Sequence, residues 1–310
     1  MNSLSMSFSV SQISNFLVVV TLFFTAPLIA QTDSTEVDLL SLLGEEDPVT
    51  NYTMASFKTT RIINMHSIEN VAGGVLDFRI SHRFGAINTG AYDLFGLDVA
   101  SMRLGLEYGI NDRLMVGIGR SNVNKEADAF VKYKILRQSA GKRNMPITMS
   151  WFSSAVVRMT KWEDPSRTNY FSSRLYYCHQ LLIARKFNDN LSVQIAPTVV
   201  HKNLVSDSTL KNDVFAGGIG ARYKITRRTS FNVEYVYVLP GQIEDIYTNS
   251  LSLGVDIETG GHVFQLHITN SKPMNEKGFI TETTGKWDKG DIMFGFNISR
   301  VFTVGKRSRD

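Results

Sequence analysis

The sequence predicts an all-β chain, a single antiparallel transmembrane β-barrel of about twelve strands with a short acidic N-terminal segment. Three observations carry that expectation. Beyond residue 74, apolar and polar side chains alternate with a period of two in run after run. Short turns and longer connections follow one another between those runs, the rhythm of a barrel whose strands cross a membrane. An apolar stretch near the N-terminus has the form of an export signal. The chain has 310 residues, 43% hydrophobic and 11% aromatic, the composition of an ordered protein. A mean hydropathy of −0.08 and no internal apolar run of membrane-helix length exclude a helical membrane protein, though not a barrel.

The elements follow in chain order. Phe16 to Ala26 is an apolar core too short to span as a helix, and Pro27-Leu28-Ile29-Ala30-Gln31 follows it. We expect residues 1–30 to be a signal peptide cleaved after Ala30, although no Lys or Arg precedes the apolar core and Leu28 replaces the usual small residue. Residues 31–56 form an acidic segment. Asp33, Glu36, Asp38, Glu45, Glu46 and Asp47 stand there with no basic residue before position 48, while the rest of the chain carries an excess of ten positive charges. Ser34 or Thr35 would cap a short helix carrying Val37, Leu40 and Leu43, which ends at Gly44. This stretch reads either as a solvated leader or as a plug or tether drawn to the basic body. The tract from Phe57 to His66 would make a thirteenth strand and is expected in the periplasm or folded into the lumen.

Twelve strands are expected at about 74–83, 99–109, 113–121, 127–138, 145–160, 171–187, 191–202, 213–225, 229–239, 249–258, 262–271 and 290–304. In the second, Met102, Leu104, Leu106 and Tyr108 alternate with Ser101, Arg103, Gly105 and Glu107. Asn111-Asp112, Asn188-Asp189-Asn190 and Thr259-Gly260-Gly261 are short turns, and 84–98, 161–170 and 272–289 are long connections. Tyr108, Tyr223 and Phe231 carry greasy-face parity near short turns and Phe302 lies near the end of the last strand, where an interfacial aromatic belt would sit. A soluble β-sandwich would alternate too, with its apolar face inward. The domain expected is the barrel at 57–304, with a basic tail at 305–310.

Several segments resemble a known family. They include Thr60-Arg61-Ile62-Ile63-Asn64, His82-Arg83-Phe84-Gly85, Leu104-Gly105-Leu106-Glu107-Tyr108-Gly109, Leu239-Pro240-Gly241-Gln242, Gly260-Gly261-His262-Val263-Phe264 and Phe294-Gly295-Phe296-Asn297. Together they are similar to the exported outer-membrane β-barrel proteins of Bacteroidetes grouped as a domain of unknown function. The resemblance runs from about residue 50 to 304. It implies an outer-membrane barrel of a Gram-negative cell and brings no substrate, cofactor or catalytic residue.

Polar-face parity assigns the lumen-lining residues Arg79, Arg103, Glu107, Lys132, Lys134, Arg222, Lys224, Glu234, Asp256 and Glu258, with Asp77, Asp128, Arg158, Arg174, Lys186 and Lys202 in further support. Charges costly in lipid are tolerated inside a barrel. Two readings stay open: a salt-bridged interior that braces the wall, or a narrow channel whose Arg and Lys favour small anions. Phe130, Tyr176 or the leader could fill the bore.

Catalytic candidates are poor, and no enzyme is expected. Ser252 and His267 share lumen parity and could pair as nucleophile and base, but a lipid hydrolase embedded in a barrel should expose its nucleophile to lipid. His179 and Arg300 have greasy-face parity; a bulge that flips the register would account for His179. The lone Cys178 excludes a disulfide framework and a CxxC metal site, so neither metal nor cofactor is expected. No basic helix or stacking motif suggests nucleic acid. The partners expected are outer-membrane lipid and a small polar solute. The alternative function is a structural or accessory barrel that docks a periplasmic or surface partner through 31–56 or the long loops.

Overall fold

The computed structural model describes residues 49–162 and 164–305. The expected signal peptide, the acidic segment up to residue 48 and the basic tail beyond 305 lie outside the described residues. Twelve strands close into one antiparallel barrel. They are β1 (Val75–Ala86), β2 (Ser101–Gly109), β3 (Leu114–Ser121), β4 (Glu126–Leu136), β5 (Thr148–Arg158) and β6 (Leu175–Lys186), then β7 (Leu191–Lys202), β8 (Asp213–Lys224), β9 (Thr229–Val238), β10 (Ser250–Thr259), β11 (His262–Thr269) and β12 (Met293–Thr303). Each pairs with its neighbour in sequence, and β12 closes the wall on β1 with Ile298 opposite Ile80. Closure leaves no sheet edge, so the backbone groups of the wall are satisfied within it.

The expected twelve runs and the observed strands correspond one to one. The largest boundary difference is at β6, which starts at Leu175 rather than near 171 because Phe171–Arg174 forms a 3-10 turn ahead of it. Another falls between β4 and β5. There the ladder shifts register between Lys134 and Leu136, and Ser139–Gly141 turns aside to pair with Thr50–Tyr52. Gly141 sits at φ 93, which suits a residue without a side chain.

Burial decides which face meets water. In β2, Ser101, Arg103 and Glu107 are buried, whereas Met102, Leu104 and Leu106 are each about 40% exposed. A soluble sandwich would show the reverse. Charged side chains inside and aliphatic ones outside are what lipid around a closed wall demands. Tyr223 opposite Phe231 and Phe302 place aromatic rings around the end with the short turns; Phe215 and Tyr237 do so nearer the long loops.

The bore is filled. Residues 56–72 enter it ahead of β1 as an internal plug rather than a thirteenth wall strand. The plug turns back on itself at residues 62–65, where the Ile62 N–H donates to the Met65 carbonyl (2.8 Å) and the Ser67 N–H to the Thr60 carbonyl (2.9 Å). The connection between β11 and β12 also folds inward and carries a short buried helix, α1 (Glu276–Thr281), capped by the Asn275 side chain accepting from the Gly278 N–H. Phe57, Ile62, Met65 and Ile68 of the plug and Phe279 and Ile280 of α1 share one apolar cluster with Phe152, Leu182, Val200, Val214 and Val236 of the wall. The inner face is therefore two-sided: its buried aliphatic and aromatic side chains are concentrated along β5–β9, among polar ones that include Arg222 on β8 and Glu234 on β9, whereas the face from β10 round to β4 is largely polar and charged. Gly220 makes room for this packing, because a side chain there would run into Ile62.

Candidate functional site

The chemistry-bearing residues gather around the plug, most of them on the charged arc and a few, Glu234 and Arg222 among them, on the strands beside it. Glu234 on β9 is buried and receives three backbone N–H groups of the plug turn, from Ile63 (3.0 Å), Asn64 (2.8 Å) and Met65 (3.0 Å). A carboxylate cradled this way is a charge-assisted anchor. Across the bore, Lys132 on β4 donates to the carbonyls of Ser67 (3.1 Å) and Glu69, while Arg222 on β8, the strand next to Glu234's, donates to those of Ala55 (3.2 Å) and Ser56 (3.1 Å). Arg83 on β1 reaches the Asn64 side chain at 2.8 Å, and Gln194 on β7 donates to the His66 carbonyl at 2.7 Å. The wall thus grips the plug backbone from several sides.

At the centre, Arg61 of the plug links both fillings. Its Nη1 donates to Glu276 of α1 at 2.6 Å, and its Nε stands 3.6 Å from Glu107 on β2. Arg79 reaches Thr60 (2.8 Å) and Asp77 (3.2 Å), and Arg103 forks onto Asp128, with Nε at 2.9 Å. Towards the loop end, Lys277 of α1 bonds Glu126 (2.7 Å) and Glu282 (2.6 Å), and Arg158 also holds Glu282 (2.7 Å). Burial alone would raise the Glu282 carboxyl, but Lys277 and Arg158 outweigh it and hold it below the ordinary glutamate value.

The parity-assigned residues divide by depth. Arg79, Arg103, Glu107, Lys132, Arg222, Glu234 and Asp256 are buried on the inner face, where the plug and α1 occupy the space beside them. Lys134, Lys224 and Glu258 are half-buried at the turn end, and Glu258 pairs with Lys58 of the plug. Phe130 and Tyr176 are both buried inside. Between Arg61, Asn64, Arg79, Arg83 and Arg103 the remaining cavity is about 10 Å³, at the lower limit for one water. A cavity of about 590 Å³ opens on the turn side of the plug, beside Lys58, Glu69 and Glu258, and one of about 530 Å³ on the loop side, beside Asn124, Arg158 and Lys272.

Sequence reasoning missed Arg61, Arg83, Glu126, Glu276 and Lys277. Arg83 shares inward parity with Arg79 on β1 and was within reach of it. Glu126 likewise shares inward parity with Asp128 on β4, and the other three depend on segments folding into the bore, which alternation does not report. Ser252 and His267 are both inward, but Ser252 bonds Thr269 (2.8 Å) and Asn64 (2.9 Å), and His267 lies across from Gly254; no hydrogen bond joins the candidate pair. His179 faces outward in a regular ladder opposite Val199 and Ser153, so no bulge flips it. Among the described residues no group of acids, His and Cys is spaced to hold a metal.

Comparison with known proteins places this geometry. The profile of a family described as a membrane bound beta barrel domain (DUF5777) matches residues 57–302. Among solved structures, the NanC porin is 11% identical, covering 74% of this chain and 98% of its own, with a TM-score of 0.46. The KdgM porin is 11% identical over 74% of this chain and 99% of its own, at a TM-score of 0.45. Outer membrane phospholipase A from Escherichia coli is 9% identical over 80% of this chain and 98% of its own, at 0.43. No curated protein matches the chain.

Proposed function

We propose, for a chain that belongs to the membrane-bound β-barrel domain family, that it is an outer-membrane barrel passing small polar solutes, with a mild preference for anions, through a lumen closed in the state described. The observation that carries this reading is how the plug is held. The charged side chains of the wall grip it through hydrogen bonds and ion pairs from Glu234, Lys132, Arg222 and Glu107, contacts that water or a polar solute can replace one by one. With the plug displaced, Arg79, Arg83, Arg103, Lys132 and Arg222 would face an open bore beside Glu107, Glu234 and Asp256, with Arg158 and Lys202 near the loop end. The reading includes export to the outer membrane of a Gram-negative cell, lipid around the exterior and no nucleic-acid partner.

Planar-bilayer conductance tests it. The full chain is expected to open briefly and weakly. A variant lacking residues 49–72 is expected to conduct steadily with a reversal potential shifted towards anions. A sealed bilayer from that variant, folded by heat-modifiable gel mobility, would overturn the proposal. The apolar cluster shared by plug, α1 and wall favours a second reading, an accessory barrel that stays closed and docks a periplasmic or surface partner. Binding of a partner by the full chain without any conductance would be its signature.

A further inference from the structure

The outer face carries a feature that the lumen does not explain. Ser153 in the middle of β5 and His179 on β6 both point away from the bore, and Ser153 Oγ lies 2.9 Å from His179 Nδ1. In the tautomer protonated on Nε2, the hydroxyl donates to the ring. The two residues are direct ladder partners, so the spacing is set by the wall itself. Around them the surface is apolar: Trp151 and Ala155 flank Ser153, Leu181 flanks His179, and Val131 and Val199 lie on the neighbouring strands. Neither side chain touches the plug or α1. An aliphatic pair would suit a lipid-facing wall better, because polar groups in hydrocarbon are costly and an ionisable residue there points to function.

Depth narrows what that function would be. Two residues along β6 from His179, towards the loop end, Tyr177 packs beside His201, ring centroids 6.3 Å apart. His201 in turn bonds Asp213 at 2.7 Å, and this pair is 40% and 56% exposed. An exposed carboxylate beside an imidazole belongs with lipid headgroups or water. A two-residue step is about 7 Å along a strand, and less along the membrane normal because strands tilt. Ser153 and His179 therefore lie within about 7 Å of the depth of that polar pair, within reach of an acyl ester drawn down from the headgroup level.

We propose that Ser153 and His179 form an acyl-ester site on the lipid-facing wall, with Ser153 as nucleophile and His179 as general base, acting on the ester bonds of membrane lipids. Ser153 Oγ bonds to the acyl carbonyl carbon while its proton passes to His179 Nδ1. The ester C–O bond breaks, and the imidazolium returns the proton to the departing alcohol. Water then bonds to the acyl carbon of the acyl-serine ester, giving its proton to His179; the bond to Ser153 Oγ breaks, the imidazolium returns the proton to Oγ, and the fatty acid leaves. This site is independent of the lumen, so it stands or falls apart from conductance.

The test uses the full chain in detergent micelles. A fluorophosphonate probe is expected to label Ser153, located by mass spectrometry, and mixed micelles of phosphatidylethanolamine are expected to release free fatty acid. Ser153→Ala should abolish both. His179→Ala should slow both by about 100-fold. Heat-modifiable mobility verifies that each variant is folded. No labelling at Ser153, labelling that is insensitive to His179→Ala, or labelling without fatty-acid release from the folded wild type would each overturn the proposal.

Discussion

Glu234 shows how much one inward side chain holds. Its carboxylate satisfies three plug N–H groups at 2.8–3.0 Å that would otherwise be buried without a partner. Glu234→Ala should therefore loosen the plug by about 2–4 kcal/mol, since it strands donors as well as removing charge-assisted bonds. Hydrogen exchange at residues 62–67 should speed up while exchange in the wall strands stays unchanged. Glu282 adds a pH dependence at the loop end. Its carboxyl is held below the ordinary value, so its stabilisation of the inward loop is complete above that ordinary value and is lost as pH falls through the lowered one. Protease cleavage in 271–285 should rise on acidification in the wild type. Glu282→Gln should show raised cleavage already at neutral pH and a flatter pH response. Parity alone puts Glu234 inside. Its partners were not legible, because Ile63–Met65 reach it from 170 residues away through a turn that carries no periodic signal.

At the scale of elements, the wall was legible and its filling was not. A strand lipid-exposed on one side and packed on the other writes its two faces into adjacent residues, as Met102 and Arg103 do, so local sequence reports it directly. The plug has no such constraint. Thr60, Arg61 and Ile62 are all buried, so neither a period of two nor one of 3.6 marks the segment. α1 is shorter than a sequence pattern can establish, and its Lys277, fully buried, reads in isolation as a surface residue. The fit between plug and wall is nonetheless recorded in the wall, at Gly220, whose missing side chain leaves room for Ile62. Gly220→Leu should push the plug turn out of place. Limited proteolysis within 56–72 is expected to increase by about tenfold, the equivalent of 1.4 kcal/mol, while heat-modifiable mobility is retained.

For the whole molecule, the question is whether the barrel needs its filling. The wall closes through backbone ladders on every side, and these do not involve the plug. Yet along β5–β9 the inner face presents Phe152, Leu182, Val200, Val214 and Val236, which the plug and α1 now cover. Removing residues 49–72 therefore has opposite consequences for the two arcs. On the charged arc it restores water to groups that hydrate readily. On the apolar arc it exposes surface at a cost of roughly 25 cal/mol per Å². The shortened chain should still migrate as a folded barrel before heating, but lose that mobility at a lower temperature than the full chain and bind more of a hydrophobic dye. Measured side by side, mobility and dye binding separate the two roles. A shortened barrel that folds, binds dye and conducts has a plug that serves as a gate. One that cannot fold at all has a plug that belongs to the core, and passage through the lumen would then give way to a purely structural barrel.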